Sequence, residues 1–297
     1  MDINEFAQKV CGAVRDRLSG DHRVELKEVR KNNGVRLHGL LVSTEDQKAV
    51  PTIYLDHFFR AYEEGMTFAE VIRRLTDICG QEAPVKNVDM EFFKDFEKVK
   101  NRICFRLIGR TENEELLREI PYVEFLDMAV CFFYAYRGET LGEGSILICN
   151  SHRELWGCSV DELMELANRN TPLLFPWQCW TMEEVVGEAF TGDFKKEQTA
   201  EEIPMRVLSN RQKQNGAGCL LYPDVLEQLA EKYRADLYIL PSSVHETILL
   251  ADSGQEEPEK LKAMICEVNR TQVAPEEVLT DSLYRYRRTG KRVEIVL

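Results

Sequence analysis

The chain has 297 residues, 44% of them hydrophobic and 30% charged, with a formal net charge of −13. That composition supplies an ample core for one large domain or two and is too apolar for a disordered chain. The acidic balance disfavours wholesale nucleic-acid binding, which needs a net basic surface, and leaves room only for a local basic patch.

Nine cysteines, at 11, 79, 104, 131, 149, 158, 179, 219 and 266, are odd in number and scattered. None are spaced Cys-x2-Cys, so neither a zinc ribbon nor a redox pair is expected. Cys104, Cys131, Cys149 and Cys266 sit in apolar runs, as small buried hydrophobes do. The opening MDINEFAQKVCGAVRDRL carries charges throughout and lacks an apolar leader, and no window approaches a membrane span. The expectation is a reduced, soluble, cytoplasmic chain.

Phe6, Val10, Val14 and Leu18 recur every four residues, one face of a helix over 3–18. VELKEV (24–29) and VRLHGLLVS (35–43) alternate on either side of Asn32-Asn33-Gly34, which predicts a β-hairpin. Pro51–Tyr54 reads as a short strand, and 56–64 and 67–79 as helices, the second opened by a Thr67/Glu70 capping box. Residues 81–100, polar and then helical, lead out of an N-terminal subdomain.

Beyond Arg102 strands and helices mix. ICFRLIG (103–109) is a strand and ENEELLREI (112–120) a short helix; FLDMAVCFFYAY (125–136) and SILICN (145–150) form two apolar strands, most simply an antiparallel pair. Ser159 and Glu162 make a second capping box, opening VDELMELANRN, which Thr171-Pro172 ends. A helix at 182–190 and a charged linker at 193–202 follow. MRVLSN (205–210) and AGCLLY (217–222) are strands, PDVLEQLAEKY (223–233) is a helix, and DLYIL and HETILL are strands around a Pro-Ser-Ser turn. Leu237, Ile239, Ile248 and Leu250 are expected to be buried together. A helix at 258–269, a helical turn at 275–279 and the hairpin LYRYRRTGKRVEIV close the chain. A strand followed by Asn at 145–157 and again at 205–217, each ahead of a helix containing Leu-Ala, suggests a weak internal repeat.

Helices among probable hairpins, without regular βαβ alternation, give an α+β class. The expected organisation is an N-terminal helix and hairpin subdomain over 1–100, then a larger domain over 101–297 of mainly antiparallel sheets covered by helices.

Ser242, Ser243, His245 and Glu246 crowd into one turn between apolar strands. Ser243 with His245 and Glu246 could host a nucleophile and base, although no Gly-x-Ser-x-Gly elbow surrounds either serine. The competing reading is a turn whose hydroxyls bind local backbone. His152 and Trp156 follow the strand ending at Asn150; a turn at Asn150-Ser151, anchored to the core by Leu155 and Trp156, explains the segment more simply than ligation, and neither metal nor cofactor is expected. Arg285, Arg287, Arg288, Lys291 and Arg292 with Tyr284 and Tyr286 make a basic, aromatic hairpin that could track a single strand, or could balance an acidic body. Glu25-x-Lys27 and Gly216-Ala-Gly218 are fragments of nuclease and phosphate-loop motifs without their remaining parts.

NNGVRLHGL (32–40), PTIYLDHFFRAYEEG (51–65), EFLDMAVCFF (124–133), NSHRELWGCSVDELMELANRNTP (150–172), GAGCLLYPDVLEQLAE (216–231), YILPSSVHETILL (238–250) and EVNRTQVAPEEVL (267–279) carry a resemblance across nearly the full length. By them the chain resembles a bacterial family catalogued as domain of unknown function 5688, from Gram-positive anaerobes of the gut. Its central and C-terminal parts are also similar to a second uncharacterised bacterial family. The resemblance implies no activity, ligand or catalytic residue. The leading expectation is therefore a non-enzymatic accessory or interaction protein with a possible protein partner. A hydrolase using the Ser243/His245 corner and a nucleic-acid accessory factor using the C-terminal hairpin stand as alternatives.

Overall fold

A computed structural model describes residues 1–18, 22–43, 52–81, 90–138, 142–182, 184, 185 and 205–297. Two compact units make up the chain: Met1–Phe92 with Arg137–Gly144, and Phe93–Tyr136 with Ser145–Leu297.

In the first unit, α1 (Ile3–Arg17) starts at Asp2, whose carboxylate accepts the Glu5 N–H at 2.8 Å. β1 (Arg23–Arg30) and β2 (Arg36–Ser43) pair antiparallel from Arg23↔Ser43 to Arg30↔Arg36. Asn33 (φ 60°) and Gly34 (φ 67°) take left-handed backbone between them, the conformation that Asn and Gly adopt most readily. β3 (Thr52–Tyr54) extends the sheet beside β2. α2 (Leu55–Glu63) and α3 (Phe68–Gln81) complete the unit, and Phe6, Val10, Val14, Leu40, Leu55, Val71 and Leu75 are buried in its core.

The second unit opens with α4 (Phe96–Val99), β4 (Ile103–Gly109), α5 (Glu114–Leu117) and β5 (Tyr122–Phe125), and it holds most of β6 (Met128–Gly138) and the end of β7 (Gly142–Leu147). Its first sheet has the order β4-β6-β5, with β7 also paired to β6. α6 (Asn150–Trp156) and α7 (Val160–Leu174) follow. α7 closes the free edge of β4: Thr171 Oγ1 accepts the Phe105 N–H at 3.0 Å, and Asn170 Nδ2 donates to the Ile103 carbonyl at 3.0 Å. Side chains thereby satisfy edge groups that would otherwise invite another strand.

β8 (Trp177–Thr181), β9 (Arg206–Asn210), α8 (Val225–Tyr233), β10 (Leu237–Pro241), β11 (Thr247–Ala251), α9 (Pro258–Thr271), β12 (Tyr284–Arg287) and β13 (Arg292–Ile295) build the rest. Their antiparallel sheet runs β13-β12-β10-β11-β9-β8. The α+β class is as the sequence predicts, with antiparallel pairing dominant.

Several elements differ from expectation. The apolar run 125–136 is two strands, because Leu126 (φ 57°) and Asp127 turn the chain between β5 and β6. The helix expected over 112–120 shrinks to α5 after a 3-10 turn. Asn150-Ser151, expected to turn, opens α6. α7 continues through Pro172 to Leu174; the N–H that proline lacks would have met the carbonyl of Asn168, which is exposed and can turn to water. AGCLLY is no strand: Gly216–Leu221 is a 3-10 stretch packed at Gly218 against the Phe105 ring. A short buried apolar run does not reveal its period. The register pairs Ile248 with Leu240 and Leu250 with Tyr238, so those two side chains join the cluster of Leu261, Ile265 and Leu283, while Leu237 and Ile239 face the other way. Ile248 is only partly buried. Most of 182–190 and all of 193–202 lie outside the described residues.

Candidate functional site

The turn between β10 and β11 is tight: Ser243 N–H donates to the Glu246 carbonyl at 3.1 Å. Ser243 Oγ accepts the His245 N–H at 3.0 Å, so the hydroxyl closes its own turn instead of meeting the imidazole. His245 Nδ1 accepts the Asn215 N–H at 3.2 Å, which fixes the ring proton of the neutral form on Nε2, 3.5 Å from Glu277 Oε1. Ser209 Oγ donates to the His245 carbonyl at 2.7 Å, and Val244 N–H donates to the Glu277 carbonyl at 2.8 Å. A Cβ on Gly216 would lie 2.0 Å from Ser209 Oγ and 2.4 Å from the His245 carbonyl, so only glycine lets that loop approach. Glu246 contributes its carbonyl to the turn. This corner joins a histidine to a carboxylate from a distant segment, while its serine serves the backbone. Glu277 and Asn215 were not legible as partners, since neither lies near the Ser-His run in sequence.

His152 is also used locally. Its Nδ1 accepts the Cys149 N–H at 3.0 Å at the start of α6, and its ring lies 5.0 Å from Phe93 and 5.9 Å from Trp156. Burial lowers its pKa from the ordinary value, favouring the neutral ring that accepts this bond. Trp156 Nε1 donates to the Phe93 carbonyl at 2.8 Å. Among the described residues no group of three or more His, Cys, Asp or Glu is placed to hold a metal ion.

The C-terminal hairpin is basic in sequence and paired in space. Arg285 binds Asp236 at 3.2 Å and also Asp252; Arg287 binds Asp236 at 3.3 Å and Glu294 at 2.5 Å. Arg288 reaches Glu231 at 3.3 Å, Lys291 reaches Glu227 at 2.5 Å, and Arg292 lies 3.7 Å from Glu294. Tyr284 and Tyr286, the expected stacking surface, are buried.

Two features escaped the sequence. Asp127 accepts hydroxyl hydrogen bonds from Thr280 (2.8 Å), Ser282 (2.8 Å) and Tyr284 (2.5 Å). Burial alone would raise its pKa, but the hydroxyls of Tyr284, Ser282 and Thr280 outweigh it and hold the carboxyl below its ordinary value. The second is a groove of about 440 Å³ between α8 and the β12–β13 hairpin. Leu221, Leu226, Tyr286 and Val293 line it with apolar surface, and Asp224, Glu227, Lys291 and Arg292 supply the charges.

Fold and site together define an α+β protein whose histidine corners are built into its turns and whose charged hairpin is internally braced. No helix among the described residues is long and apolar enough to cross a membrane. The chain belongs to the family of unknown function DUF5688, whose profile matches residues 3–288. No curated protein and no solved structure matches it.

Proposed function

We propose that this is a non-enzymatic accessory or interaction protein of the bacterial cytoplasm, with the groove between α8 and the C-terminal hairpin as its contact surface. The groove carries the reading: apolar side chains from α8, its preceding loop and β13 lie beside both signs of charge, the composition of surfaces that exclude water at their centre and stay polar at their rim. The commitment of Ser243, His152 and the hairpin cations to bonds within the fold supports a binding role over hydrolysis or strand tracking. Nine free thiols favour a reducing compartment, and the family resemblance favours a bacterial one.

The test compares affinity capture from source cytosol by the wild type and by a Leu221→Arg/Val293→Asp pair, both partly buried groove positions. A partner enriched on wild type should fall by about tenfold or more on the pair, at an unfolding midpoint that shows the pair folded. Partners retained equally would remove the groove from the proposal. Labelling of Ser243 by a fluorophosphonate probe, lost in His245→Ala, would replace it with the hydrolase reading.

A further inference from the structure

β4 carries one arginine, Arg106, and two more flank the strand: Arg102 ends the 3-10 turn before it, and Arg110 follows its last residue. The outer two are satisfied. Arg102 Nε donates to the Ala135 carbonyl at 2.5 Å, and Arg110 pairs with Glu124 at 3.0 Å. Arg106, between them, makes no hydrogen bond or ion pair with any described residue, and its Nε is closed to solvent. The orphaned atom is Nε alone, so the Nη groups still reach solvent.

The register sets Arg106 opposite Cys131 on β6, and Cys131 opposite Tyr122 on β5. Among the described residues, the titratable group whose charge would act on the guanidinium is Cys131, but burial pushes its thiol up to about 12. At neutral pH it is uncharged and offers no counter-ion. Burial pulls the guanidinium's own pKa down, yet arginine does not lose its proton near pH 7. A cation therefore stands in a partly buried place without a partner among the described residues. Folded proteins avoid this arrangement unless something else brings the negative charge.

We infer that Arg106 anchors a binding site for a small oxyanion, a phosphate or carboxylate group, on the face of the sheet that carries Cys104, Cys131 and Tyr122. The planar fork of the guanidinium takes such a group through two parallel N–H donors. The neutral thiols and aliphatic residues of that face strengthen the charge-assisted bond by keeping the local dielectric low. The site is separate from the groove and from the β10–β11 corner, and it holds or senses an anion whatever the partner of the groove.

The test is thermal unfolding of the full chain in chloride, inorganic phosphate and acetate at matched ionic strength, for wild type, Arg106→Lys and Arg106→Gln. Phosphate stabilises folded proteins generally, so the wild-type minus variant difference is what counts. One anion should raise the wild-type midpoint by a few degrees over chloride, with the gain reduced in Arg106→Lys and lost in Arg106→Gln. A phosphate response identifies a phosphate group and an acetate response a carboxylate. Equal responses in wild type and Arg106→Gln overturn the inference. Should Arg106→Gln fail to fold, the line widths of ³¹P-phosphate and ¹³C-acetate titrated with wild type decide: broadening of one, reversed by excess of the same unlabelled anion, supports the site, and no broadening of either overturns it.

Discussion

Replacing Asp127 by alanine removes one carboxylate and strands three donors. The Tyr284 hydroxyl belongs to a residue only 1% exposed, so its loss is not made good by water and costs about 1–3 kcal/mol. Thr280 and Ser282 are partly exposed, and their hydroxyls recover solvent bonds, adding about 1 kcal/mol between them. The expected total is about 2–4 kcal/mol, read as a fall in the urea midpoint at unchanged slope. Asp127→Asn keeps an acceptor oxygen without the charge and should lose about half as much. Because the folded carboxyl is held below its ordinary pKa, its contribution is complete above the unfolded carboxylate pKa and fades as pH falls through the folded value. The gap between wild type and Asp127→Asn should accordingly narrow on acidification. A double-mutant cycle with Tyr284→Phe should return a coupling of about 1–2 kcal/mol. An Asp127→Ala midpoint equal to wild type, or a coupling near zero, would falsify the node as a structural clamp.

Gly216→Ala should destabilise by about 3 kcal/mol, the upper end for overpacking, because two of the atoms its methyl meets are backbone; a wild-type denaturation midpoint would refute that packing. Arg285→Ala leaves Asp252, whose side chain is 8% exposed, without its partner, and a loss of about 2–4 kcal/mol is expected in the same assay. The thiols of Cys104, Cys131 and Cys219, pushed up to about 12 by burial, hold a thiolate fraction on the order of 10⁻⁴ at pH 8, so a thiol reagent should modify them only after unfolding. Rapid modification of any of the three in the folded protein counts against their placement.

What could be read from sequence was what local rules fix. The α1 stripe and the Asn-Gly hairpin were legible because one face of each is buried and the turn chemistry is explicit. The break at Leu126-Asp127 was not, since a leucine holds the left-handed position where glycine or asparagine would have announced a turn. Gly216–Leu221 hid for another reason: a fully buried segment has no polar face to reveal its period. The turn at Ser243 and His245 reads in sequence as a polar cluster, but its contacts depend on Ser209, Asn215 and Glu277, which only folding assembles. Asp127 lay further out of reach, its donors being 153–157 residues along the chain.

The hairpin shows how charge in one dimension misleads about charge in three. Five cations within 285–292 read as a patch, yet each meets a carboxylate on β10, β11, α8 or β13 or in the turns beside them, so the local field is close to balanced. The pairs are not equivalent. Arg285 and Asp252 are 22% and 8% exposed, and breaking that pair leaves a buried charge. Lys291 and Glu227 are 65% and 36% exposed, so water screens most of their attraction. The hairpin is thus pinned at its strands and loosely held at its tip, where Lys291 and Arg292 border the groove. In the proposed contact, a partner carrying its own carboxylate or ammonium can displace the Lys291–Glu227 pair at little cost and meet Leu221 and Val293, the partly exposed apolar residues of the groove. Charge reversal at Lys291 should therefore change the rate of partner association and its salt dependence while leaving the unfolding midpoint nearly where it was.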